Sequence, residues 1–404
     1  MTTAELLAAY NLPSAWKQIR LRWLSKRYAG GTPDTKNPDY WVGGTVPWLN
    51  SGAVNQGTIT VPSDFITELA VKESSAKWIP TGALVMALAG QGKTKATVGY
   101  LEIPTTGNQS LAAIVPEQIE GKYLYWWLAS QYRTLRNLSS QDGRDGLNLE
   151  MIGSIVCPVP PLETQRSIAQ FLDEKTVQID GLIEKKRALL ERLAEKRKAL
   201  ITRAVTKGLN PAAAVKPSGI DWLGNIPAHW VVCGLGQKIK LQRGVDITKS
   251  QRVDGEIPVI SSGGIDYFHD TALCVGPGVL IGRKGSAGKL HYVNSDYWPH
   301  DTTLYVREFR GNSPRFTWYL LHCIDLTSFD SGSSNPTVNR NRIHPVQTAW
   351  PRPEEQRAIA SHLDEQLAQI ADIERRIEAS IVHLVEYRSA LVTAAVTGKI
   401  QGNC

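Results

Sequence analysis

The chain has 404 residues, of which 42% are hydrophobic and 21% are charged, and its formal net charge is +7 at pH 7. No apolar run reaches the roughly 18 residues of a transmembrane helix, and the first residues lack the basic and apolar regions of a signal peptide. The five cysteines contain no C-x-x-C pair, which argues against a zinc site and predicts a reducing, cytoplasmic compartment. A mildly basic protein is compatible with nucleic-acid binding, but charge alone does not establish it.

Residues 1–160 are predicted to form a β-rich globular segment with some helix. The stretch LPSAWKQIRL is expected to form a turn and a strand, and a loop rich in Gly and Pro follows over residues 29–45. Four short apolar runs bounded by Gly or Pro are typical of strands: VPWLNSG, GTITVP, GALVMALAG and KATVGYLEI. A helix is expected around Lys122–Arg136, and a polar loop follows it over residues 139–148.

Residues 161–207 predict one long amphipathic helix, because apolar residues recur there at spacings of three and four. At 1.5 Å per residue, a continuous helix of this length would span roughly 65 Å. Gly181 leaves two alternatives open, one straight helix or a helix that bends near its first third. A linker is expected at residues 208–217, where Gly, Pro and small residues follow the helix.

The helical stretch Pro160–Thr206 recurs as Pro351–Thr397, shifted by 191 residues without a gap. Many paired positions carry the same residue, among them Glu163/Glu354, Gln165/Gln356, Arg166/Arg357, Leu172/Leu363 and Asp173/Asp364. An ungapped repeat of this length indicates an internal duplication. The second copy is therefore predicted as a second long helix within residues 352–404, which also hold the C-terminal tail.

Residues 218–351 repeat the first globular segment more faintly. IPAHW matches LPSAW, EIPVISSGGI matches TVPWLNSGAV, PGVLIGRKGSAGK matches TGALVMALAGQGK, and VNRNRI matches LNLEMI. The scaffold is retained while the loops differ. In a tandem duplication this pattern suggests two binding domains of different specificity.

The two predicted helices have complementary features that favour packing against each other. Residues 161–207 contain 11 basic and 7 acidic side chains, whereas residues 352–404 contain 6 basic and 8 acidic ones. The second helix has apolar residues at strict intervals of seven, typical of a coiled-coil seam: Leu363, Ile370, Ile377, Leu384 and Leu391. The matching positions of the first helix are Leu172, Ile179, Lys186, Leu193 and Leu200. Parallel and antiparallel pairs are both compatible with this pattern.

Three motifs suggest catalysis but lack the context that it requires. AGQGKT (residues 89–94) lacks the first Gly of a phosphate-binding loop, and a strand pattern follows it. NPDY (residues 37–40) has Asp where amino-methyltransferases have a second Pro, and E-x-K at residues 184–186 lies on the coiled-coil helix. No zinc-protease motif or serine elbow is present. We therefore expect no catalytic residue and no metal site, with a DNA-modifying enzyme as the less favoured alternative.

Two Gly-rich basic turns at equivalent places, and two polar loops, carry side chains suited to DNA. Arg can form two hydrogen bonds with guanine, and Asn or Gln with adenine. Ordinary polar surface loops are the alternative interpretation. The predicted DNA-binding residues of the first segment are Thr32, Ser51, Gln91, Lys93, Lys95, Gln141, Arg144 and Asn148. Those of the second are Ser262, Arg283, Lys284, Ser286, Lys289, Asn335, Thr337, Asn339, Arg340 and Arg342.

Together these features resemble the specificity (S) subunits of type I restriction–modification enzymes. The similarity covers essentially the whole chain. It is carried by LITRAVTKGLNPAAAVKPSGIDWLGNIPAHW, by the helix starts PPLETQRSIAQFLDE and PRPEEQRAIASHLDE, and by GGTP with TVPWLNSG. The second segment departs from the pattern, with RGVDITK in place of GGTP. The resemblance implies an α+β fold in which a long antiparallel two-helix coiled coil, with a pseudo-twofold internal repeat, separates two β-rich mixed target recognition domains.

The resemblance also implies a function and a set of partners. Each recognition domain would read one half of a bipartite site in double-stranded DNA, and the coiled coil would set the spacing between the halves. Two methyltransferase (M) subunits would bind the conserved helices, methylate adenine and carry S-adenosylmethionine. Restriction (R) subunits, which use ATP and Mg²⁺, would join the complex. The chain itself would be non-catalytic and hold no cofactor, with a protein-binding coiled-coil adaptor as the alternative.

Overall fold

The computed structural model describes residues 11–90, 92–138, 146–329 and 337–400. The chain divides into two compact units, Met1–Lys186 with Ala379–Cys404 (unit 1) and Arg187–Glu378 (unit 2). Each unit contains one globular domain and a part of each long helix. Domain 1 comprises residues 11–160, and domain 2 comprises residues 208–351.

Domain 1 is a mixed, β-rich domain, as its short apolar runs predict. Its strands are β1 (Lys17–Arg20), β2 (Ser25–Ala29), β3 (Val46–Leu49), β4 (Thr58–Ile59), β5 (Asp64–Ile66), β6 (Leu84–Ala87), β7 (Val98–Leu101), β8 (Thr106–Gly107), β9 (Leu111–Pro116) and β10 (Val156–Val159). Its helices are α1 (Glu68–Glu73), α2 (Gly121–Ser130), α3 (Tyr132–Leu138) and α4 (Leu149–Ser154). One sheet has the order β2-β9-β6-β7-β4, a second has the order β5-β3-β8, and β1 pairs with β10.

The single helix expected at Lys122–Arg136 is two helices. The first ends at Ser130 because Gln131 leaves the helical conformation, with φ −89° and ψ 3°, and its N–H turns back to the carbonyls of Leu128 and Ala129. The second begins at Tyr132. The strand runs were predicted in the right places, and β6 is buried along its whole length, as a continuous apolar run between turns requires.

The first long helix, α5 (Leu162–Lys207), contains 46 residues and has no break at Gly181. The helix is therefore continuous past Gly181. Its length corresponds to about 69 Å. A Cβ added to Gly181 would meet no heavy atom within 4 Å, so no close packing requires glycine at this position.

Domain 2 repeats the plan of domain 1. Its strands are β11 (Val215–Pro217), β12 (Asn225–Pro227), β13 (Val231–Gly234), β14 (Lys240–Arg243), β15 (Ile257–Ser261), β16 (Gly264–His269), β17 (Gly278–Gly282), β18 (Leu290–Val293), β19 (Trp298–Pro299), β20 (Thr303–Glu308) and β21 (Gln347–Trp350). Its helices are α6 (Leu235–Lys238), α7 (Pro314–His322) and α8 (Arg340–Ile343). The sheets have the orders β14-β20-β17-β18 and β16-β15-β19, and β13 pairs with β21.

The large sheets share the order β2-β9-β6-β7 and β14-β20-β17-β18, with all neighbours antiparallel, and the sheet of domain 1 has the additional strand β4. In each small sheet the central strand is antiparallel to one neighbour, β5 or β16, and parallel to the other, β8 or β19. Even the register is kept, because Pro47 lies opposite Phe65 and Pro258 lies opposite Phe268. The internal duplication inferred from the helices therefore extends through both domains.

The second long helix, α9 (Pro353–Val396), runs antiparallel to α5 within each unit. In unit 1, Tyr123 donates from its hydroxyl to the carbonyls of Pro158, just before α5, and Val396, at the end of α9. In unit 2, Arg197 lies 3.6 Å from Glu374, whereas a Cβ added to Gly208 would lie 3.3 Å from Glu355. Moving forward along α5 thus means moving backward along α9, which decides between the two orientations.

The predicted seam is buried at most of its apolar positions, whereas Leu200 and Leu384 are half-buried. In unit 1, Leu172, Ile179 and Leu391 are less than a tenth exposed. In unit 2, Leu363 and Ile370 are equally covered. The charged seam position, Lys186, is only partly covered, while Ile183 beside it is buried. Among the residues that the structure describes, no helix is both long enough and apolar enough to cross a bilayer.

Each domain is fixed to its long helix by the same two side chains, which we call the anchor residues. In unit 1, Gln165 accepts from the N–H of Glu120 at 2.8 Å, and Asp173 accepts from Lys122 and Trp126 at 2.7 and 2.9 Å. In unit 2, Gln356 accepts from the N–H of Ser313 at 2.8 Å, and Asp364 accepts from Arg315 and Tyr319 at 2.7 and 2.6 Å. Both pairs are identical in the helical repeat, which now has a structural reason.

Candidate nucleic-acid interface

In domain 2, main-chain hydrogen bonds bring three sequence-predicted segments together. The Gly-rich basic turn after β17 contains Arg283, whose N–H donates to the carbonyl of Thr302 at 2.7 Å. The carbonyl of Arg283 accepts from Val338 at 3.0 Å, which ties the segment before α8 to the same turn. The third segment, RGVDITK, is held because Val245 donates to the carbonyl of Pro299 at 2.8 Å.

These segments line an open groove of about 890 Å³ with four cationic and two anionic side chains. The cations are Lys240, Arg243, Arg283 and Arg340, and the anions are Asp246 and Asp301. The backbone and side chains of Gln242, Thr337 and Asn339 complete the polar lining. We call it the domain 2 groove. A concave surface with excess positive charge attracts the phosphate backbone of DNA.

Asp301 organises the charges of the domain 2 groove. It accepts from Arg243 at 2.7 Å, and its main-chain carbonyl accepts from Arg283 at 3.3 Å. Burial raises the pKa of Asp301, but the hydrogen bond from Arg243 and the neighbouring cations outweigh burial, so that the net pKa lies below its usual range. Burial, and then the charge of Arg243, lowers the pKa of Arg283, which stays a cation at neutral pH.

One cluster beside this groove has the composition of a metal site. Asp246, His300 and Asp301 have ligand atoms within 4.8 Å of one another. However, His300 directs Nε2 toward Asp246 at 3.1 Å and Nδ1 toward Asp301 at 3.3 Å. In this arrangement each imidazole nitrogen faces a different carboxylate. We interpret the cluster as a hydrogen-bonded network.

The other predicted residues of domain 2 lie around the groove. Lys284, Ser286 and Lys289 are exposed on the Gly-rich turn, and Lys289 donates to the carbonyl of Gly263 at 2.8 Å. Ser262 is nearly buried under the turn. Asn339 and Arg342 are exposed, but Asn339 caps α8 by accepting from Asn341 at 2.9 Å. Asn335 lies outside the described residues.

Domain 1 brings the equivalent segments together in the same way. Leu147 donates to the carbonyl of Leu88 at 2.8 Å, and Leu88 donates to that of Ser110 at 2.8 Å. Gly31 of the GGTP segment donates to the carbonyl of Gly107 at 2.7 Å. The side chain of Thr32 is hydrogen-bonded to Gln109. The convergence is therefore a property of the scaffold, present in both copies.

The predicted DNA-binding residues of domain 1 differ in exposure. Lys93 is exposed on the turn between β6 and β7, whereas Lys95 on the same turn is 7% exposed. Ser51 begins a 3-10 turn after β3. Asn148 caps α4 by accepting from Met151 at 2.8 Å. Gln91, Gln141 and Arg144 lie outside the described residues.

Sequence reasoning missed several residues of these surfaces. In domain 2 they are Lys240, Arg243 and Asp301, and in domain 1 they are Gln109, Tyr125, Tyr132 and Arg136. The last three line a second groove of about 640 Å³ together with Lys93. RGVDITK, which begins at Arg243, stands in place of GGTP, and GGTP contains the predicted residue Thr32. This correspondence was the sequence signal that could have identified Arg243.

The three motifs that suggested catalysis have structural roles. AGQGKT lies in the segment between β6 and β7, and Gln91 within it lies outside the described residues. Pro38–Tyr40 is a short 3-10 turn capped by Asn37. Glu184 and Lys185 are exposed on the long helix.

A family model described as the type I restriction modification DNA specificity domain matches residues 13–192 and 227–383. The chain is 27% identical over 192 residues to the EcoR124I/EcoR124II specificity subunit of Escherichia coli, covering 43% of this chain and 48% of that protein. It is 29% identical over 182 residues to the MjaIX specificity subunit of Methanocaldococcus jannaschii, covering 43% and 40%. The matched stretch thus spans no more than about half the length of these relatives.

Two solved structures share the fold. A chain from a structure that addresses complex assembly and conformational transition of the type I R-M system has a TM-score of 0.72 at 18% identity, covering 97% of this chain and 100% of that chain. The HsdS subunit from Thermoanaerobacter tengcongensis has a TM-score of 0.60 at 17% identity, covering 96% and 98%. Because the family model matches most of the sequence, across both domains and parts of both long helices, the chain belongs to the family of type I restriction–modification DNA specificity domains.

Proposed function

We propose that this chain is the sequence-specific DNA-binding subunit of a type I restriction–modification complex, with one half-site of a bipartite target read by each domain. One observation carries the proposal: in both domains the same three loop segments converge through equivalent main-chain hydrogen bonds. A scaffold that is kept while its converging loops change is suited to reading two different half-sites. Phosphate contacts from Lys and Arg would position each domain, and the remaining polar side chains would select bases.

The long helices carry repeated surface features that favour the binding of two identical partner subunits. Arg166 pairs with Glu163 on α5 at 2.8 Å, and Arg357 pairs with Glu354 on α9 at 3.4 Å. All four side chains are at least 60% exposed and are repeated without change. Exposed ion pairs of this kind contribute little to stability, so their repetition is better explained by two copies of one partner. We assign that partner as the methyltransferase subunit.

In this scheme the chain contributes recognition and no chemistry. S-adenosylmethionine would be bound by the methyltransferase subunits, and ATP and Mg²⁺ by restriction subunits that join the complex. Of the candidate motifs for catalysis, NPDY forms a short 3-10 turn and E-x-K lies on the long helix. Methylation or cleavage of DNA by the purified chain alone would contradict this division of roles.

The proposal is tested by exchanging one domain. Residues 218–351 are replaced with the second domain of another family member, and methylated adenines are mapped in a host that also carries the methyltransferase partner. We expect one half-site of the methylated sequence to change and the other to remain. The reciprocal control replaces residues 1–160 and should change the other half-site only. If both half-sites change in either chimera, the assignment of one half-site to each domain is wrong.

A binding measurement separates DNA recognition from a purely structural role. The complex of this chain with its methyltransferase partner is incubated with a pool of randomised duplexes, and bound duplexes are sequenced. Enrichment of one bipartite sequence is expected. If no sequence is enriched, the chain acts as a coiled-coil adaptor and the proposed function is wrong.

A further inference from the structure

Each domain has one hydrogen-bonded pair of polar side chains beside the converging segments, and the two pairs share one position of the scaffold. After the strands β2 and β14, Gly30 and Gly244 donate to the carbonyls of Leu111 and Thr303, each at 3.0 Å. A Cβ on Gly30 would lie 2.2 Å from the carbonyl oxygen of Gly107, and one on Gly244 would lie 2.1 Å from that of His300. Any side chain at Gly30 or Gly244 would therefore clash with the facing backbone, so both positions require glycine.

Because both domains have this contact, the residues before and after it along the chain can be matched between the domains. Counted from the hydrogen bonds, Arg243 corresponds to Ala29, Asp246 to Thr32, and Asp301 to Gln109. In domain 2 the position is charged, with Arg243 bonded to Asp301 at 2.7 Å. In domain 1 it is neutral, with Thr32 bonded to Gln109. The scaffold is the same at this position, and the hydrogen-bonding chemistry is different.

In domain 2, the aspartate fixes the arginine and the arginine is presented to solvent. The side chain of Asp301 is 24% exposed, whereas that of Arg243 is 53% exposed and lines the domain 2 groove. A guanidinium has five N–H groups, and the bond to Asp301 uses one of them. An arginine held in this way loses less freedom when it binds, and its remaining N–H groups match the two acceptors that guanine exposes in the major groove.

In domain 1, Gln109 takes the place of Asp301, and its side-chain amide is held by the hydroxyl of Thr32. Gln109 is exposed, and its Oε1 atom accepts from Thr32. That bond gives the carboxamide of this exposed side chain a defined orientation. A fixed carboxamide offers one acceptor and one donor, which are complementary to N6–H and N7 of adenine.

We propose that these two hydrogen-bonded pairs determine base specificity, with Arg243 reading a guanine in one half-site and Gln109 reading an adenine in the other. Asp301 and Thr32 are the positioning residues. The inference rests on the proposed function, since it assigns bases only if each domain reads a half-site. It goes further in naming the residues and bases, which neither motif nor family predicts.

The test is selection of randomised duplexes by the full chain in its methyltransferase complex. The variants are Arg243→Ala, Asp301→Asn and Gln109→Ala, and Lys240→Ala is the matched control because Lys240 lines the same groove on the same strand. For Arg243→Ala we expect the preference for guanine at one position to fall by about 5- to 150-fold, the range of a bidentate base contact. Asp301→Asn should relax the same position to a smaller extent. Gln109→Ala should relax an adenine in the other half-site.

The unaffected half-site reports that each variant is folded and bound. Lys240→Ala should weaken binding to all sequences alike, since a phosphate contact carries no base information. If Arg243→Ala lowers affinity uniformly and leaves every base preference intact, the assignment of Arg243 is wrong. If Gln109→Ala and Arg243→Ala alter the same half-site, the pairing of positions with domains is wrong. These outcomes differ from failure of the proposed function, in which the wild-type complex enriches no sequence.

Discussion

Domains 1 and 2 have the same strand order, the same anchor residues and the same converging loops, yet their candidate DNA surfaces differ in charge. Domain 2 presents Arg243 and Arg283 around a charged network, whereas domain 1 has Ala29 and Leu88 at the corresponding places. The anchor residues Gln165 and Gln356 are buried and unchanged, whereas Arg243 is about half exposed and differs from Ala29. The two domains therefore keep their attachment to the long helices while their candidate DNA surfaces differ.

The helical seam is the part in which the two units should behave alike. Leu172 in unit 1 and Leu363 in unit 2 are both fully buried. Replacing either with Ala should lower the free energy of unfolding of its own unit by about 3 kcal/mol, because a buried Leu loses transfer energy and leaves a cavity. Urea titration followed by hydrogen exchange in each unit measures the two losses separately.

Leu182→Ala is the control for this prediction, since Leu182 lies on the same helix and is 45% exposed. It should cost less than about 1 kcal/mol. Losses of unequal size for Leu172→Ala and Leu363→Ala would break the equivalence of the two units at the seam.

The anchor glutamines should distinguish the units slightly. Gln165 donates to the carbonyl of Pro160, and Gln356 donates to that of Pro351 and also to the side chain of Asn312 at 2.8 Å. Replacement with Ala leaves buried backbone groups without partners, at about 1–3 kcal/mol each. We therefore expect Gln356→Ala to destabilise unit 2 more than Gln165→Ala destabilises unit 1, by about 1 kcal/mol.

The same hydrogen-exchange measurement applies, with Gln170→Ala as the control on α5. Gln170 is exposed, and its side chain donates to Glu174 on the helix surface. Gln170→Ala should therefore change the free energy of unfolding by no more than about 0.5 kcal/mol. A larger loss for Gln165→Ala than for Gln356→Ala would contradict the additional role of Asn312.

Much of this organisation could be predicted from local patterns, and the remainder depended on long-range pairing. The long helices, their duplication and the seam from Leu363 to Leu391 follow from periodicity. The relative direction of the two helices does not follow from periodicity, because a heptad pattern is compatible with both orientations. The capping roles of Asn148 and Asn339 had a local signal, since Asn commonly precedes a helix. Asp301 was missed because it meets Arg243 through the pairing of β14 with β20, across 58 residues.

The smallest expected difference between the domains is their response to acid. In domain 2, His344 accepts from the N–H of Leu241 at 3.1 Å, which requires a neutral imidazole. Burial lowers the pKa of His344, and the charges of Arg340 and Arg310 lower it further. The domain 1 counterpart in the 191-residue repeat is Gly153, which cannot titrate.

Since the folded pKa of His344 is below the unfolded value of 6.5, the unfolded state takes up the proton first as the pH falls. The contribution of His344 to stability is thus complete above pH 6.5 and decreases as the pH falls through the folded pKa. We expect a loss of about 1 kcal/mol in domain 2, the net value of one hydrogen bond.

Hydrogen exchange at pH 7.5 and at pH 5.5 measures this loss against domain 1. His344→Gln keeps an acceptor without a titrating proton, so the variant should lose this part of the acid response while other histidines retain theirs. An unchanged difference between the two pH values in His344→Gln would assign the acid response to another residue.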